Sequence, residues 1–460
     1  MKTVNIIADK YIKRIWLFIL FIIINILFGL LYVSNSARNL VFMDFWRNIN
    51  LLIPQAATGG WPWQSMWSST FGQRNFLQLF LITFNIKYTS LNCIWESYAG
   101  ILVIALSCIL LFREWNLFFF EDDKYFVKQL LFLPVMTVLF SLNQWEILSL
   151  QFSFAFMVRI CGYITAFLLT DKIFHSNKDN FFVVLCGVYV GFLVDFVSQL
   201  YWPSLIIVLA ISWTIYFSHK EKSKKKVKEL VLFWIPIVIA VFIYCFKLST
   251  DGAGGGLDIF WNLLVSGDFW LAILYMLVGS LLPQTKIEKM NQSSIVMLGI
   301  LFLIIIVLAV FFFFYKNLCD ISFVPMMLCA YGLVTIPIII YGRAGNFNLM
   351  YLTSSRYTCE TTLIWAGCCL SFSMLIYKYR KILLSIPLIS VVAFVIFSDC
   401  VELEISLYRG QYKDQLITIM KDIDEYGDDE LIGFQAGNAN LVRSGVQLMK
   451  DYNLGIWSNR

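Results

Sequence analysis

The chain has 460 residues, 59% of them hydrophobic and 14% charged, with 35 lysines and arginines against 30 acids and a formal net charge of +5. Soluble proteins carry roughly 25% charged residues, so a water-soluble globular enzyme is excluded and a chain built for lipid is expected. The eleven cysteines stand mostly alone in apolar runs, without metal or redox spacing, and His175 and His219 both lie near basic segments, which leaves no material for a zinc site or a histidine relay.

The chain opens with "MKTVNIIADKYIKR", four basic residues against one acid, and so is expected to start in the cytoplasm. "IWLFILFIIINILFGLLYV" (15–33) reaches the roughly 20 apolar residues that a span needs. It is too long for a signal-peptide core and no small-residue cleavage site follows, so it is expected to remain as an anchor. The next span is predicted at about 91–112. Segment 34–90 then becomes a long outer loop whose aromatic, amphipathic pieces suit helices lying at the interface.

Further spans are predicted at about 127–142, 151–170, 181–199, 203–218 and 230–247. They place "DKIFHSNKDN" and the basic block "HKEKSKKKVKE" (219–229) in the cytoplasm. That block is short and lies between two spans, so no nucleic-acid partner is expected. "STDGAGGGLD" (249–258) matches no phosphate-loop spacing and reads as a flexible outer hinge.

The run 269–283 is short for a span. If it crossed, "YKYRK" (377–381) would fall outside and the acidic tail inside, against the charge rule, so it is read as interfacial or re-entrant. Spans at about 294–314, 322–341, 359–377 and 382–398 complete the count. The expected fold is an all-α integral membrane protein of about eleven transmembrane helices, N-terminus inside and C-terminus outside. Residues 1–399 form the membrane domain with outer loops 34–90 and 248–293, and 400–460 a small extracytoplasmic cap. Within the cap, "YKDQLITIMKDIDEYGDDELIGF" reads as an amphipathic helix followed by a short strand, too short to fold alone.

On this topology several polar groups converge outside. Asp44 follows the first span, beside Trp46 and Arg47, and reads either as a solvated loop carboxylate or as a general base for an acceptor hydroxyl. Gln73, Arg74 and Asn75 lie in the same loop. In "SLNQWEILSLQFSFAFMVRI" (141–160), Glu146 and Gln151 are placed to recognise sugar hydroxyls, while Arg159 falls mid-membrane and requires a partner or a function. Asp195 and Gln199 near the end of the fifth span are open to either use, as partners of Arg159 or as part of a site. "YGRAGNFNLMYLTSSRYT" (341–358) carries Arg343, Arg356 and Tyr357 with more hydrogen-bonding groups than a headgroup anchor needs, and points to phosphate or pyrophosphate binding.

Taken together, "MDFW", "WSSTFGQRNFLQLFL", "NQWEILSLQ", "SQLYWPSL", "GRAGNFNLMYLTSSRYT" and the ending "LGIWS" resemble stretches of bacterial multi-pass GT-C glycosyltransferases of surface-polysaccharide and teichoic-acid systems. The resemblance implies a polyprenyl-phosphate sugar donor, a polysaccharide or teichoic-acid acceptor, and a site on the outer face of the plasma membrane. It makes Asp44 the acidic residue of the first outer loop and Arg343, Arg356 and Tyr357 the donor-phosphate contacts, with Arg74 beside them. Gln73, Glu146, Gln151, Arg159 and Asp195 become substrate contacts. Relatives often have an acidic-His-Arg triplet where this chain has Gly72-Gln73-Arg74, so only the arginine is retained. A divalent metal, held by Asp44 and Glu146, is compatible with the sequence but not demanded by it. A polysaccharide polymerase or ligase would hold its groups in a large late outer loop, and a lipid-linked sugar transporter would show internal repeats; neither feature is seen.

Overall fold

The computed structural model describes residues 2–70, 73–118, 124–176, 178–219, 223–246, 248 and 256–458. Gly72 and the glycine-rich stretch up to Gly255 lie outside the described residues, as does part of the basic block. Among the described residues the chain is helical apart from loops and one two-residue antiparallel ladder, β1 (Ser69–Thr70) with β2 (Gln73–Arg74).

The longer helices are α1 (Lys2–Ser36), α2 (Phe45–Ala56), α3 (Phe76–Tyr88), α4 (Ile94–Phe118), α5 (Tyr125–Leu139), α6 (Ser153–His175), α7 (Asn180–Phe192) and α8 (Trp202–His219). They continue with α9 (Lys224–Cys245), α10 (Leu257–Ser266), α11 (Asp268–Gly279), α12 (Gln292–Tyr315), α13 (Val324–Arg343), α14 (Ser355–Tyr379), α15 (Ser385–Lys421) and α16 (Ala439–Asp451). Eleven of these, some extended by a short adjoining turn, are long and apolar enough to cross a bilayer. The protein is therefore an all-α, multi-pass membrane protein, the architecture that lets every backbone amide bond within its own segment in lipid.

Side chains supply several helix starts. Asp179 accepts from the Phe182 amide, Ser223 from Lys226 and Asn291 from Ser294, each satisfying an orphan donor of the first turn. The bundle is centred on α14, buried at every residue from 357 to 375. It packs closely on α13 through small residues: a Cβ at Gly367 would stand 2.6 Å from the Cys329 amide nitrogen. By contrast α12 presents Met297, Val307 and Phe311 outward, an apolar surface suited to lipid.

The pair α10–α11 is bent by 85° at Gly267, which takes a left-handed φ of 91°. Both flanks of this pair lie at one end of the bundle. Tyr244, at the end of α9, is bonded to Arg74 and to the Gln199 carbonyl, and the Gly279 carbonyl at the end of α11 accepts from Asn143 Nδ2. The far end of α12 meets the far end of α14, where Tyr379 donates to the Lys316 carbonyl. The segment from 256 to 291 thus has both of its flanks at the same end.

At that end sits a second hydrophobic core. It is shared by residues 40–56, by α3 and the turn after it, and by the tail from Leu416 onward. Helix α15 makes the connection: its 37 residues measure about 55 Å, nearly twice a bilayer core of about 30 Å, so it runs unbroken past residue 400 and out of the membrane. Arg38 holds it with a two-pronged bond to Asp414 at 2.7 and 3.0 Å, and Gly410 lets it press on the Asn35 carbonyl. The short strand expected near 431–434 does not form. Asp428–Leu431 is helical and Ile432–Phe434 a 3-10 turn, because Phe434 turns inward onto Trp46 and its carbonyl receives the Met43 amide, with no extended neighbour to pair with. The tail and the first loop therefore make one cap, and this end of the bundle is called the cap end below.

Candidate functional site

Helix α13 ends at Arg343. The chain turns through Ala344–Asn346 and Tyr351–Thr353 before α14 begins at Ser355. The Asn348 side chain shapes this turn by accepting from the Met350 and Tyr351 amides at 2.9 and 3.2 Å. The start of the central helix is capped from outside by Glu146, which lies on the short helix Trp145–Ser149. Glu146 Oε2 accepts from Ser354 Oγ at 2.6 Å, Ser355 Oγ at 2.9 Å and the Arg356 amide at 2.9 Å, while Oε1 accepts from Arg356 Nη2 at 3.0 Å. A carboxylate at a helix N-terminus meets both the orphan amides and the positive end of the helix dipole.

With Glu146 in that place, Arg356 is aimed. Its Nη1 donates to Tyr351 Oη at 3.1 Å and its Nε to Ser354 Oγ at 3.2 Å. Arg343 approaches from the end of α13, its Nε donating to Tyr357 Oη at 2.6 Å. Both guanidinium carbons lie by the Tyr351 ring, at 5.2 Å for Arg343 and 5.3 Å for Arg356, within cation–π range. Arg343 has no carboxylate partner, and its two terminal nitrogens make no hydrogen bond among the described residues. Two cations and one carboxylate thus meet at a partly exposed position, with the donors of Arg343 turned to no protein acceptor. Such an arrangement is able to receive a phosphate oxygen.

The remaining candidates take other places. Arg74 is buried on β2: its guanidinium donates to the carbonyls of Tyr244 (2.9 Å), Trp67 and Phe246 and stacks on the Trp67 ring. It staples the first loop to α9, and its donors are occupied by backbone. Gln73 is half-buried beside it. Gln151 donates to the Phe42 carbonyl at 2.7 Å, so the segment leading to Asp44 is tied to the same end of the bundle as Glu146. Asp44 itself is exposed at the start of α2, caps no amide of that helix, and forms no ion pair among the described residues.

Arg159 finds its partner in Glu360, one helical turn beyond Arg356 on α14, and not in Asp195. Gln199 Oε1 also accepts from Arg159 at 2.9 Å, the rings of Phe156 and Tyr201 flank it, and Tyr331 donates to the other Glu360 oxygen. Asp195 is buried in the π-helical turn Leu193–Val197, with Oδ1 unpartnered. Two further groups had escaped the sequence reading. Arg409 pairs with Glu402 at 2.6 Å and lies 3.4 Å from the Trp145 ring centre, while Lys413 Nζ donates to the Ser149 carbonyl and hydroxyl at 2.8 and 3.1 Å. Trp145 and Ser149 bracket Glu146, so α15 clamps the short helix that orients Arg356. No sequence spacing announces this clamp, since it joins residues more than 250 positions apart.

Among the described residues no three His, Cys, Asp or Glu side chains stand together as a metal site. Glu146, one of the two ligands considered, has both oxygens on Ser354, Ser355 and Arg356. No family model, no curated protein and no solved structure matches the chain.

Proposed function

We propose that the chain is a membrane glycosyltransferase that moves a sugar from a polyprenyl-phosphate donor to a polysaccharide or teichoic-acid acceptor on the outer face of a bacterial plasma membrane. The observation that carries this reading is the pair Arg343 and Arg356 around Tyr351, with the free donors of Arg343 beside the start of the central helix. A phosphate between a lipid tail and a sugar belongs at that depth, where cations meet the edge of an apolar bundle. The outward assignment of the cap end rests on charge. Lys224, Lys225, Lys226 and Lys228 open α9, Lys378 lies in the last turn of α14, and Arg380 and Lys381 follow it, all at the opposite end.

In this mechanism Arg343 and Arg356 hold the donor phosphate. Asp44 takes the proton of an acceptor hydroxyl, whose oxygen attacks the anomeric carbon. The bond from that carbon to the phosphate oxygen breaks, its electrons pass to the polyprenyl phosphate, and the two arginines balance the charge that develops there. Attack opposite the leaving group inverts the anomeric centre.

The test is transfer from labelled polyprenyl-phosphate sugar by membranes carrying the wild type or Asp44→Asn. Loss of transfer with donor binding kept supports the reading. Unchanged transfer removes Asp44 from the scheme, and donor binding without transfer by the wild type replaces the transferase with a lipid-phosphate carrier.

A further inference from the structure

A cavity of about 650 Å³ opens in the cap, away from the arginine pair, between the end of α2, the end of α3 and the tail after α16. Its size falls in the usual range for a bound small molecule, roughly 300–1,000 Å³. None of the residues singled out in the sequence lines it. Tyr88 and Tyr452 stand on its rim, 57% and 37% exposed, and Ser90 and Asn453 add a hydroxyl and an amide. Among the described residues Lys87 is the single charged residue of the lining, and its ammonium group is already engaged with the Gly59 and Gly60 carbonyls at 2.6 and 3.2 Å.

The rim is built rather than accidental. The Gly455 amide donates to the Ser90 carbonyl at 2.7 Å and the Leu454 amide to the Met449 carbonyl at 2.8 Å, which ties the tail across the turn after α3. Asn453 takes a left-handed φ of 53° at the head of this crossing. Leu454 and Ile86 are buried beneath, so the apolar groups form the support and the polar groups the opening.

We infer that this cavity is a saccharide-binding site. The lining excludes the other common ligand classes. One largely satisfied lysine is too little charge for a nucleotide or a polyphosphate, and a cavity rimmed by an amide and hydroxyls is wrong for a lipid tail. A sugar ring has C–H faces that pack on flat aromatic groups, and a belt of hydroxyls that needs donors and acceptors around the edge. Tyr88 and Tyr452 offer faces as well as hydroxyls, and Ser90 and Asn453 complete the belt. With no carboxylate among the described lining residues, a neutral or anionic saccharide fits. Its use as the site that holds the growing acceptor chain rests on the transferase reading; saccharide binding itself does not.

The experiment uses the full chain in nanodiscs on an array of short oligosaccharides containing neutral, amino and uronic-acid hexoses. Wild-type protein is expected to bind members of the neutral or uronic set. Tyr88→Ala and Tyr452→Ala should each weaken that binding about tenfold or more. Tyr88→Phe and Tyr452→Phe, which keep the faces, should recover most of it. Both rings are exposed, so unfolding midpoints should not move, and Arg343→Gln, at the separate phosphate site, should bind saccharide normally. Binding to none of the array, or equal binding by the alanine variants, overturns the inference. Saccharide binding with no transfer activity leaves it standing and defeats the transferase reading, while donor binding with no saccharide binding does the reverse.

Discussion

Arg356 is bonded to Glu146, Ser354 and Tyr351, whereas Arg343 donates to Tyr357 alone, so the two cations should respond differently to substitution. Arg343→Gln removes a partly exposed charge that balances nothing in the protein. Its unfolding midpoint in detergent should stay near wild type, within about 0.5 kcal/mol. Glu146→Gln is the opposite case: it removes the charge, turns one of the two accepting oxygens into an amide donor that faces other donors, and leaves Arg356 without a counter-ion in a mostly buried position. Denaturation should show a loss of about 3 kcal/mol, the low end for a broken buried pair because Arg356 keeps some water contact. A Glu146→Gln protein as stable as wild type would mean that the carboxylate does not organise the start of α14. Arg343, Arg356 and Tyr357 were readable as a unit because they share 15 residues of sequence. Tyr351 lay in the same stretch without distinction, since nothing in one sequence shows that its ring stands beside two cations.

Among elements, α14 carries two ionic groups close together: Arg356 at its start, paired with Glu146, and Glu360 one turn on, paired with Arg159 of α6. Glu360→Gln strands Arg159 among Phe156, Tyr201 and Tyr331 and is expected to cost about 3–5 kcal/mol in thermal unfolding. Arg159→Met combined with Glu360→Leu should regain most of that loss, because no buried charge remains. Additive losses in the double variant would show that the pair does not act as a unit. The spans were legible from apolar run length, and each predicted run has a helix. Arg159's need for a partner was legible too, from its depth alone. The partner was not: Glu360 is 201 residues away, and Asp195 looked equally available by sequence. Likewise the strand expected in the tail failed because a short apolar segment takes its form from what it packs on, here Trp46 across the cap.

For the molecule as a whole, eleven helices long and apolar enough to span a membrane, and a bent pair with both flanks at one end, place 256–291, 344–353 and the cap together at that end. In a background lacking the exposed Cys245 and Cys400, single cysteines at Ser293→Cys and Gly345→Cys should react with a membrane-impermeant reagent from outside the cell. Lys381→Cys should react only after permeabilisation. Labelling of a cysteine at Gly256 and of the one at Ser293 from different sides would mean that α10–α11, which lies between them, crosses the membrane. The shared cap was the part least visible beforehand, because its core joins residues 40–93 to 416–454 and no local pattern records which distant segments will pack together. Whether the arginine pair takes a phosphate decides the transferase reading. Native mass spectrometry of the detergent-solubilised protein with added polyprenyl phosphate measures this directly. The wild type should retain the lipid, and Arg343→Gln should lower its affinity about tenfold or more, the weight of one charge-assisted hydrogen bond. Equal retention by both proteins would contradict a phosphate site at Arg343 and Arg356.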